Sequence, residues 1–504
     1  MLKYTGHPLV DVGAATILAF SPKKRKISDL TDSDLDEIAD YISKEYTINP
    51  LKSFLTVAFP NSGFTQPAFE KTPEKRLDYA NRVTRCFHEV SDTTQTRCVF
   101  TGDPAIVTAL SDKEGYPPGK AFRQHVPLLL GENQINFFSN GDSGLPISGK
   151  ALLCIQAMPL GCAKCGGKLL AVHSDNPDII ELFADEFLKK NKSTILKAHT
   201  ANSTKMPEAK PAKTLLIETL LKAEEERRLI HEERPSSITA YHFSNSGQSN
   251  ALDARNPPLE IYHLPMDIIS FLGAIMHAEY KAEWDAIAHR AWQLTTPKKG
   301  KKGEKETDTS EQSELRHRNY LYEDLFNLPQ DAPKFIRHYF LRIPIRKTFN
   351  EDPRRSYSLR GDAGLVSWKL TSLFLDRVMH MKGSRINHIR EIGDQLAEYV
   401  NEENDKKFFS AFYSEYRYGA IRNALIRVNH SRLKQGKPPI IKFEPFIEIF
   451  EEVDDKGRSD WRLARDLVLI RMIERLYELK WIEKHAEDLA EMKEPSEEDS
   501  ENKQ

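Results

Sequence analysis

The sequence predicts an α+β protein: a mixed N-terminal α/β domain with a degenerate zinc-knuckle-like element, followed by an all-α C-terminal helical bundle. Three observations carry this reading. Short apolar runs bounded by turn residues crowd the first half of the chain. From Trp368 onward apolar residues recur at helical three-and-four spacing almost without a break. A polar stretch rich in Lys and Gly lies before that second region. At 504 residues the chain is long enough for more than one core. The expected organisation is an α/β domain over 1–294, a flexible linker or loop over 295–313, a basic connecting segment over 314–367, a helical bundle over 368–482 and an acidic disordered tail over 483–504.

Taken in order, Val10 to Phe20 is apolar but short and carries Asp11, which reads as a buried element rather than a signal peptide or membrane span. Thr31 followed by Asp34 resembles a capping box ahead of the stripe Leu35, Ile38 and Ile42. Leu77, Ala80, Val83 and Phe87 predict a second helix, with Cys86 and His88 near its end. Strands are expected at Val126–Leu130, Ile135–Phe138 and Leu152–Met158. Asn176 and Pro177 are placed as N-cap and first residue of a helix running through Phe183 and Phe187 to Lys189-Lys190. Two more strands follow, at Ile238–Phe243 and Leu259–Leu264. The polar stretch from Thr295 to Ser313 cannot bury enough apolar surface to offset its ordering entropy. Ile336 to Ile345 is basic and aromatic (Arg337, His338, Tyr339, Arg342, then Arg346). The helical segments beyond it are Leu370–Val378, Ile386–Val400, Phe408–Val428, Phe443–Phe450 and Trp461–Trp481.

Net charge is -2, which does not advertise a nucleic-acid binder, but the acidic tail masks a more basic remainder. Five cysteines, an odd number without a framework, point to a reducing compartment, and no apolar run is long enough to cross a membrane. A cytoplasmic protein is therefore expected.

The cysteines carry the first chemical motif. Cys162-Ala-Lys-Cys165-Gly-Gly has the form of a zinc knuckle half, and Cys98-Val-Phe-Thr101-Gly102 reads like its partner with the second cysteine replaced. Cys98, Cys162 and Cys165 with Cys86 or His88 are candidates for a structural zinc site. The alternative is a site that has lost its metal and kept its fold by packing. Gly141-Asp142-Ser143-Gly144-Leu145-Pro146 resembles a serine-protease nucleophile motif, but its upstream His88 and Asp103 lie close together and lack the expected context. The same residues read better as a glycine-rich loop from Asn140 to Lys150, able to approach a phosphate or a DNA groove. Ser244 to Asn250 leaves a predicted strand with amide and hydroxyl side chains of the kind that read base edges. Pro22-Lys23-Lys24-Arg25-Lys26 is a basic loop. In the bundle, Lys406, Lys407, Arg417, Arg422, Arg427 and Arg432 form a cationic set suited to a nucleic-acid backbone or an ordinary charged face.

Several stretches together resemble one family. Thr5-Gly6-His7-Pro8-Leu9-Val10-Asp11-Val12-Gly13 is similar to the opening of the CXXC–CXXC family of CRISPR-associated proteins, the large subunits of subtype I-B Cascade complexes. Gly144-Leu145-Pro146 through Leu153, Gln156, Ala157, Pro159 and Gly161 into the CxxC resembles the same family. So does Tyr241 to Gln248 followed by Glu260-Ile261-Tyr262-His263-Leu264-Pro265. Thr101 and His7 depart from the family pattern. The resemblance implies a non-enzymatic prokaryotic subunit that reads a protospacer-adjacent motif in target DNA while a guide RNA supplies sequence recognition. It further implies help in opening the duplex, a hold on the displaced strand, recruitment of a helicase–nuclease, and partners among the other Cascade backbone subunits. Asn140, Ser143, Gly144, Ser148, Lys150, Asn245, Ser246, Gln248 and Asn250 are then placed near the motif duplex, and the bundle's basic residues on the displaced strand. The helical part from Val378 resembles the Cascade small subunit, and Met379 or Met381 is a candidate internal start. Two other readings stand beside this one: a stand-alone zinc-ribbon nucleic-acid adaptor, and a serine hydrolase using Ser143.

Overall fold

The structure, a computed structural model, describes residues 1–89, 95–110, 117–129, 144–207, 209–227, 236–245, 257–295, 315–414, 417–451 and 460–490. The chain divides into two compact units, Met1–Met266 and Asp267–Gln504.

The first unit is built around α1 (Pro8–Phe20), buried at every residue from Leu9 to Leu18. A helix apolar on all sides belongs at the centre of a core. It packs against α5 (Gly149–Ala157), α6 (Pro177–Thr200), the turn Met158–Gly161 and strand β4 (Lys168–Ser174). The approach to α5 requires Gly13: a Cβ there would lie 1.9 Å from the Cys154 carbonyl oxygen. α2 (Asp32–Glu45) starts with the expected capping box, Thr31 Oγ1 accepting from Asp34 N while Asp34 accepts from Thr31 N. α3 (Leu51–Leu55) and α4 (Pro73–Thr84) follow, and a tight turn over Cys86–His88 ends the helical run.

Two antiparallel sheets complete the unit. β1 (Lys120–Ala121) pairs with β2 (Leu145–Pro146), and β3 (Ala163–Cys165), β4, β5 (Ile238–Phe243) and β6 (Leu259–Leu264) form a four-stranded sheet in that order. β5 and β6 occupy the predicted ranges. β3 turns into β4 across Gly166-Gly167, both at positive φ (55° and 78°), with Cys165 opposite Lys168. That is the two-residue hairpin geometry glycine permits. α7 (Ala212–Arg227) lies between the β4–α6 region and β5 in the chain.

Three expectations are corrected here. Leu152–Met158 is not a strand but lies in α5 and the turn after it, capped by Ser148 Oγ accepting from Ala151 N. It is buried on all sides, so the run lacks the periodicity that separates helix from strand. Val126–Leu129 is a turn, with Leu128 at φ 64°, and Ile135–Phe138 lies outside the described residues. α6 starts as expected, Asn176 capping Asp178 N at 3.0 Å, but continues ten residues past Lys190 to Thr200. Its inner face stays anchored beyond that point by the buried Asn191, Ile195 and Ala198.

The second unit begins with α8 (Met266–Ile275) and α9 (Ala278–Arg290), then the hairpin β7 (Trp292–Thr295) and β8 (Leu315–Asn319). The stretch expected as a flexible linker or loop lies in the chain between two strands that pair within one unit, and the division between units falls earlier than 294. α10 (Tyr320–Asp324), α11 (Ala332–Phe335), a π turn over Ile336–Phe340 and α12 (Leu359–Asp362) make the segment after it. Helices α13 (Trp368–Arg377), α14 (Gly383–Glu403), α15 (Lys406–Ser414), α16 (Tyr418–Lys434), α17 (Phe443–Phe446) and α18 (Trp461–Glu478) form the expected helical region. α14 lies along α18, the buried centre of this part. α19 (Trp481–Lys484) and α20 (Ala486–Ala490) are helical past 482, within the range expected to be a disordered tail.

The basic segment before the bundle is folded in rather than a connector. Arg342, at φ 63° and 1% exposed, stacks 3.6 Å from the Tyr357 ring and donates to Asp362 at 3.0 Å. Arg354 bonds Asp324 and Asp352 and stands over Tyr320, and Arg337 donates to the buried Asp466. Buried cations need such partners, and these arginines are engaged in holding the unit together.

Candidate nucleic-acid interface

The sequence-predicted site residues of the first unit gather around the start of α5. Ser148 is buried as the N-cap, and its hydroxyl lies 3.3 Å from Thr101 Oγ1. Thr101, at the position of the missing cysteine, thus joins a hydroxyl pair. Lys150 pairs with Asp32 at 3.2 Å. This is a surface ion pair, worth little, at the residue expected to offer a cation to phosphate. Gly144, at φ 78°, presses its α-carbon toward Phe122 and Lys120, where a Cβ would fall 2.7 Å from the Phe122 ring. Asn140 and Ser143 lie outside the described residues. His88 places Nε2 2.9 Å from Asp36, so its acidic partner is not Asp103.

Ser244 and Asn245 are the members of the amide-rich loop among the described residues, both buried, and Asn245 is bonded within the protein. Its side-chain nitrogen donates to the Ala58 and Arg123 carbonyls at 3.2 and 3.3 Å. Its backbone nitrogen donates to Val57 O at 2.7 Å. Arg123 Nη2 in turn donates to the Asn245 carbonyl at 2.6 Å. Asn245 is a buried anchor, a correction to its expected role as a base reader. Ser246, Gln248 and Asn250 lie outside the described residues.

The structure adds a convergence the sequence did not reveal. Gly144, the first described residue of the glycine-rich loop, rests on Lys120 and Phe122, while Asn245, in the described start of the amide-rich loop, is held by Arg123. One described residue of each polar loop therefore meets the four-residue strip Lys120–Arg123. Arg123 Nε is buried without a hydrogen-bond partner among the described residues. Lys120-Ala-Phe-Arg123 matches no motif, and only the folding of β1 against β2 makes it a meeting point.

The cysteines do not assemble as expected. Cys86, Cys98, Cys162 and Cys165 are buried free thiols, and among the described residues no three His, Cys, Asp or Glu side chains gather as a metal site. Burial pushes the Cys86 thiol up to about 12 and raises Cys162 as well. The hairpin is held by other means. Asn191 donates to the Leu160 and Cys162 carbonyls at 2.8 Å, and a His242 ring nitrogen lies 2.8 Å from the Cys165 carbonyl. His242 also meets Glu260, which receives Lys168 Nζ at 2.9 Å. Elemental analysis of purified protein is expected to find less than about a tenth of an equivalent of zinc, and a full equivalent would contradict this packing account.

In the second unit the cationic set is partly engaged. Lys406 pairs with Asp488, Arg422 with Glu451 at 3.4 Å and Arg432 with Glu402 at 3.8 Å. Arg427 donates to its own helix at Asn423 O. Lys407, Arg417 and Arg427 are exposed. The aromatics Phe408, Phe409, Phe412 and Tyr413 are buried, so they build the core rather than stack on bases.

Among the described residues no helix is long and apolar enough to cross a membrane. No family model, no curated protein and no solved structure matches the chain.

Proposed function

We propose that this chain is a non-catalytic large subunit of an RNA-guided type I-B CRISPR interference complex. In that role it recognises a short motif in duplex DNA, aids strand opening, holds the displaced strand and recruits a separate helicase–nuclease. The observation that carries the reading is the meeting of one described residue of each polar loop with Lys120–Arg123. Polar stretches whose described ends, Gly144 and Asn245, meet one strip carrying Lys120 and Arg123 suit a surface that meets backbone phosphates and base edges together. The collinear sequence resemblance to the CXXC–CXXC family supplies the more specific assignment. Gln248 and Asn250 are the amides proposed to reach bases, with Ser143 and Ser246 on sugar or phosphate. Lys407, Arg417 and Arg427 are proposed to follow the displaced strand.

The test is co-expression with the genes adjacent to its own, followed by purification and duplex binding. The expected result is co-purification with RNA of fixed length and binding that depends on a short flanking motif. A double variant Gln248→Ala, Asn250→Ala should weaken that binding by about tenfold or more, since a bidentate base contact is worth about 1–3 kcal/mol. Unchanged motif dependence in the double variant would remove these residues from the assignment. Labelling of Ser143 by a fluorophosphonate would favour the hydrolase reading instead.

A further inference from the structure

The basic loop Pro22–Lys26 joins α1 to α2 and has no part in the function proposed above. Its backbone is fixed at both ends. Lys24 N donates to Ser21 O at 2.9 Å, Asp29 N donates to Lys26 O at 3.0 Å, and the buried Ile27 and Leu30 pin the far side. Lys24 Nζ turns back to Asp34, in the first turn of α2, at 3.2 Å. Lys23, Arg25 and Lys26 are exposed, and none of the three makes an ion pair among the described residues.

Like charges held close together raise the local potential, and most acids that could offset them are engaged elsewhere. Asp32 pairs with Lys150, and Asp36 and Asp40 pair with Arg85. Asp29 and Glu37 are the acids of this stretch with no cation among the described residues. Lys192 of α6 adds a fourth positive group. Its amine lies 3.8 Å from the centre of the Phe20 ring and 5.8 Å from that of Tyr41, with no carboxylate partner among the described residues. Burial lowers this amine from the ordinary lysine range, as expected of a cation short of an anion.

α2 gives the surface its span and its place. Asp34, beside the loop, and Tyr41, beside Lys192, lie two turns apart on that helix, about 10 Å. Phosphates follow one another at ~3.4 Å along each strand of a duplex, so about three fall within that length. The turn that holds Lys24 through Asp34 also holds Lys150 through Asp32 at 3.2 Å. The cations therefore continue from the start of α5, where the candidate site residues gather, onto the loop.

We propose that Lys23, Arg25, Lys26 and Lys192 form a sequence-blind anchor for the phosphates of duplex DNA beside the motif. A single strand would gain most from a stacking platform, and Lys192 covers the face of Phe20, so the duplex is the better occupant. The anchor rests on the reading of this chain as a reader of motif-bearing DNA.

The full chain, purified with its co-expressed neighbours, is titrated with duplexes of one length, with and without the motif, between about 50 and 200 mM salt. The triple variant Lys23→Ala, Arg25→Ala, Lys26→Ala should bind both duplexes about tenfold more weakly at the lower salt, with the motif preference unchanged. The slope of log affinity against log salt should shrink by about 2–3, and Lys192→Gln alone should shrink it by about one, since each phosphate contact contributes ~0.9. Thermal melts like the parent's are expected at these positions. Arg25→Gln, expected to lower the slope by about one, repeats the test should the triple variant melt early. Motif-dependent binding with equal affinity and slope in parent and variants overturns the anchor alone. A parent indifferent to the motif, whose slope still falls in the triple variant, supports the anchor and overturns the motif reading. A changed motif preference in the triple variant overturns the sequence-blind assignment. A slope lowered with single-stranded RNA but not with duplex overturns duplex DNA as the occupant, and a parent that binds no duplex overturns both readings.

Discussion

A Gly13→Ala chain should lose about 3 kcal/mol or more of stability, read as a lower denaturant midpoint for the first unit. The added methyl would fall 1.9 Å from the Cys154 carbonyl oxygen and 2.4 Å from its carbon. Both are backbone atoms of α5, and backbone cannot swing aside as the end of a flexible side chain does. α1 would have to move instead, yet it is also packed on α6, the Met158–Gly161 turn and β4. Ordinary overpacking costs about 1–3 kcal/mol, and a clash that displaces a central helix belongs at the upper end or beyond. Gly419→Ala is the matched control. Gly419 lies in α16 with open space where its Cβ would be, so alanine there should be neutral or slightly stabilising. Equal midpoints for Gly13→Ala and the parent would show that the two helices can separate cheaply.

Asp11→Asn should be nearly as damaging, and its effect should depend on pH. The Asp11 carboxylate is 1% exposed and accepts from Thr5 N at 2.7 Å, Thr5 Oγ1 at 2.8 Å and Gly6 N at 2.8 Å. His173 Nε2 lies 3.1 Å from its second oxygen. Burial alone would push this carboxyl up, but the bonds from His173, Thr5 and Gly6 outweigh it and hold the group below the usual carboxylate range. Asparagine would turn an NH₂ toward donors, so a loss of about 2–4 kcal/mol at neutral pH is expected. The folded-state value lies below the unfolded value of about 3.9. The unfolded chain therefore binds the proton first, and the contribution of Asp11 is full above about pH 5 and falls away as pH drops through 4 toward the folded value. Urea melts between pH 3 and pH 6 should show the gap between parent and Asp11→Asn narrowing toward acid. A gap constant over that range would mean that Asp11 is not ionised in the folded chain.

These two residues show how the sequence was informative and where it misled. The stretch Thr5 to Gly13 stood out as a motif, and in the structure it works as packing and capping: Asp11 ties down the entry to α1, and Gly13 lets α1 meet α5. Gln156, another residue of the resemblance, donates to the His125 carbonyl at 2.6 Å inside the core. The elements legible in advance had local signals, such as the Thr31–Asp34 box, the Asn176-Pro177 start and the alternation in β5 and β6. Those that were missed depended on tertiary context. α5 is buried all round and so has no polar face to mark its period, and β7 and β8, on either side of the expected linker or loop, pair only once the chain folds.

The site divides in the same way. Residue type nominated Ser148, Lys150 and Asn245, but each has a partner within the protein that composition could not foretell. Lys120 and Arg123 were invisible in the sequence because their relevance comes from what folds onto them. The knuckle-like echo has a structural counterpart in the glycines at positive φ after Cys98 and Cys165.

Purification of the chain with its co-expressed neighbours tests the central claim most directly. The account predicts a ribonucleoprotein containing RNA of one fixed length, whose duplex binding requires a short motif and weakens as salt rises. A chain that purifies alone, free of RNA, and binds duplexes without regard to a motif would contradict it.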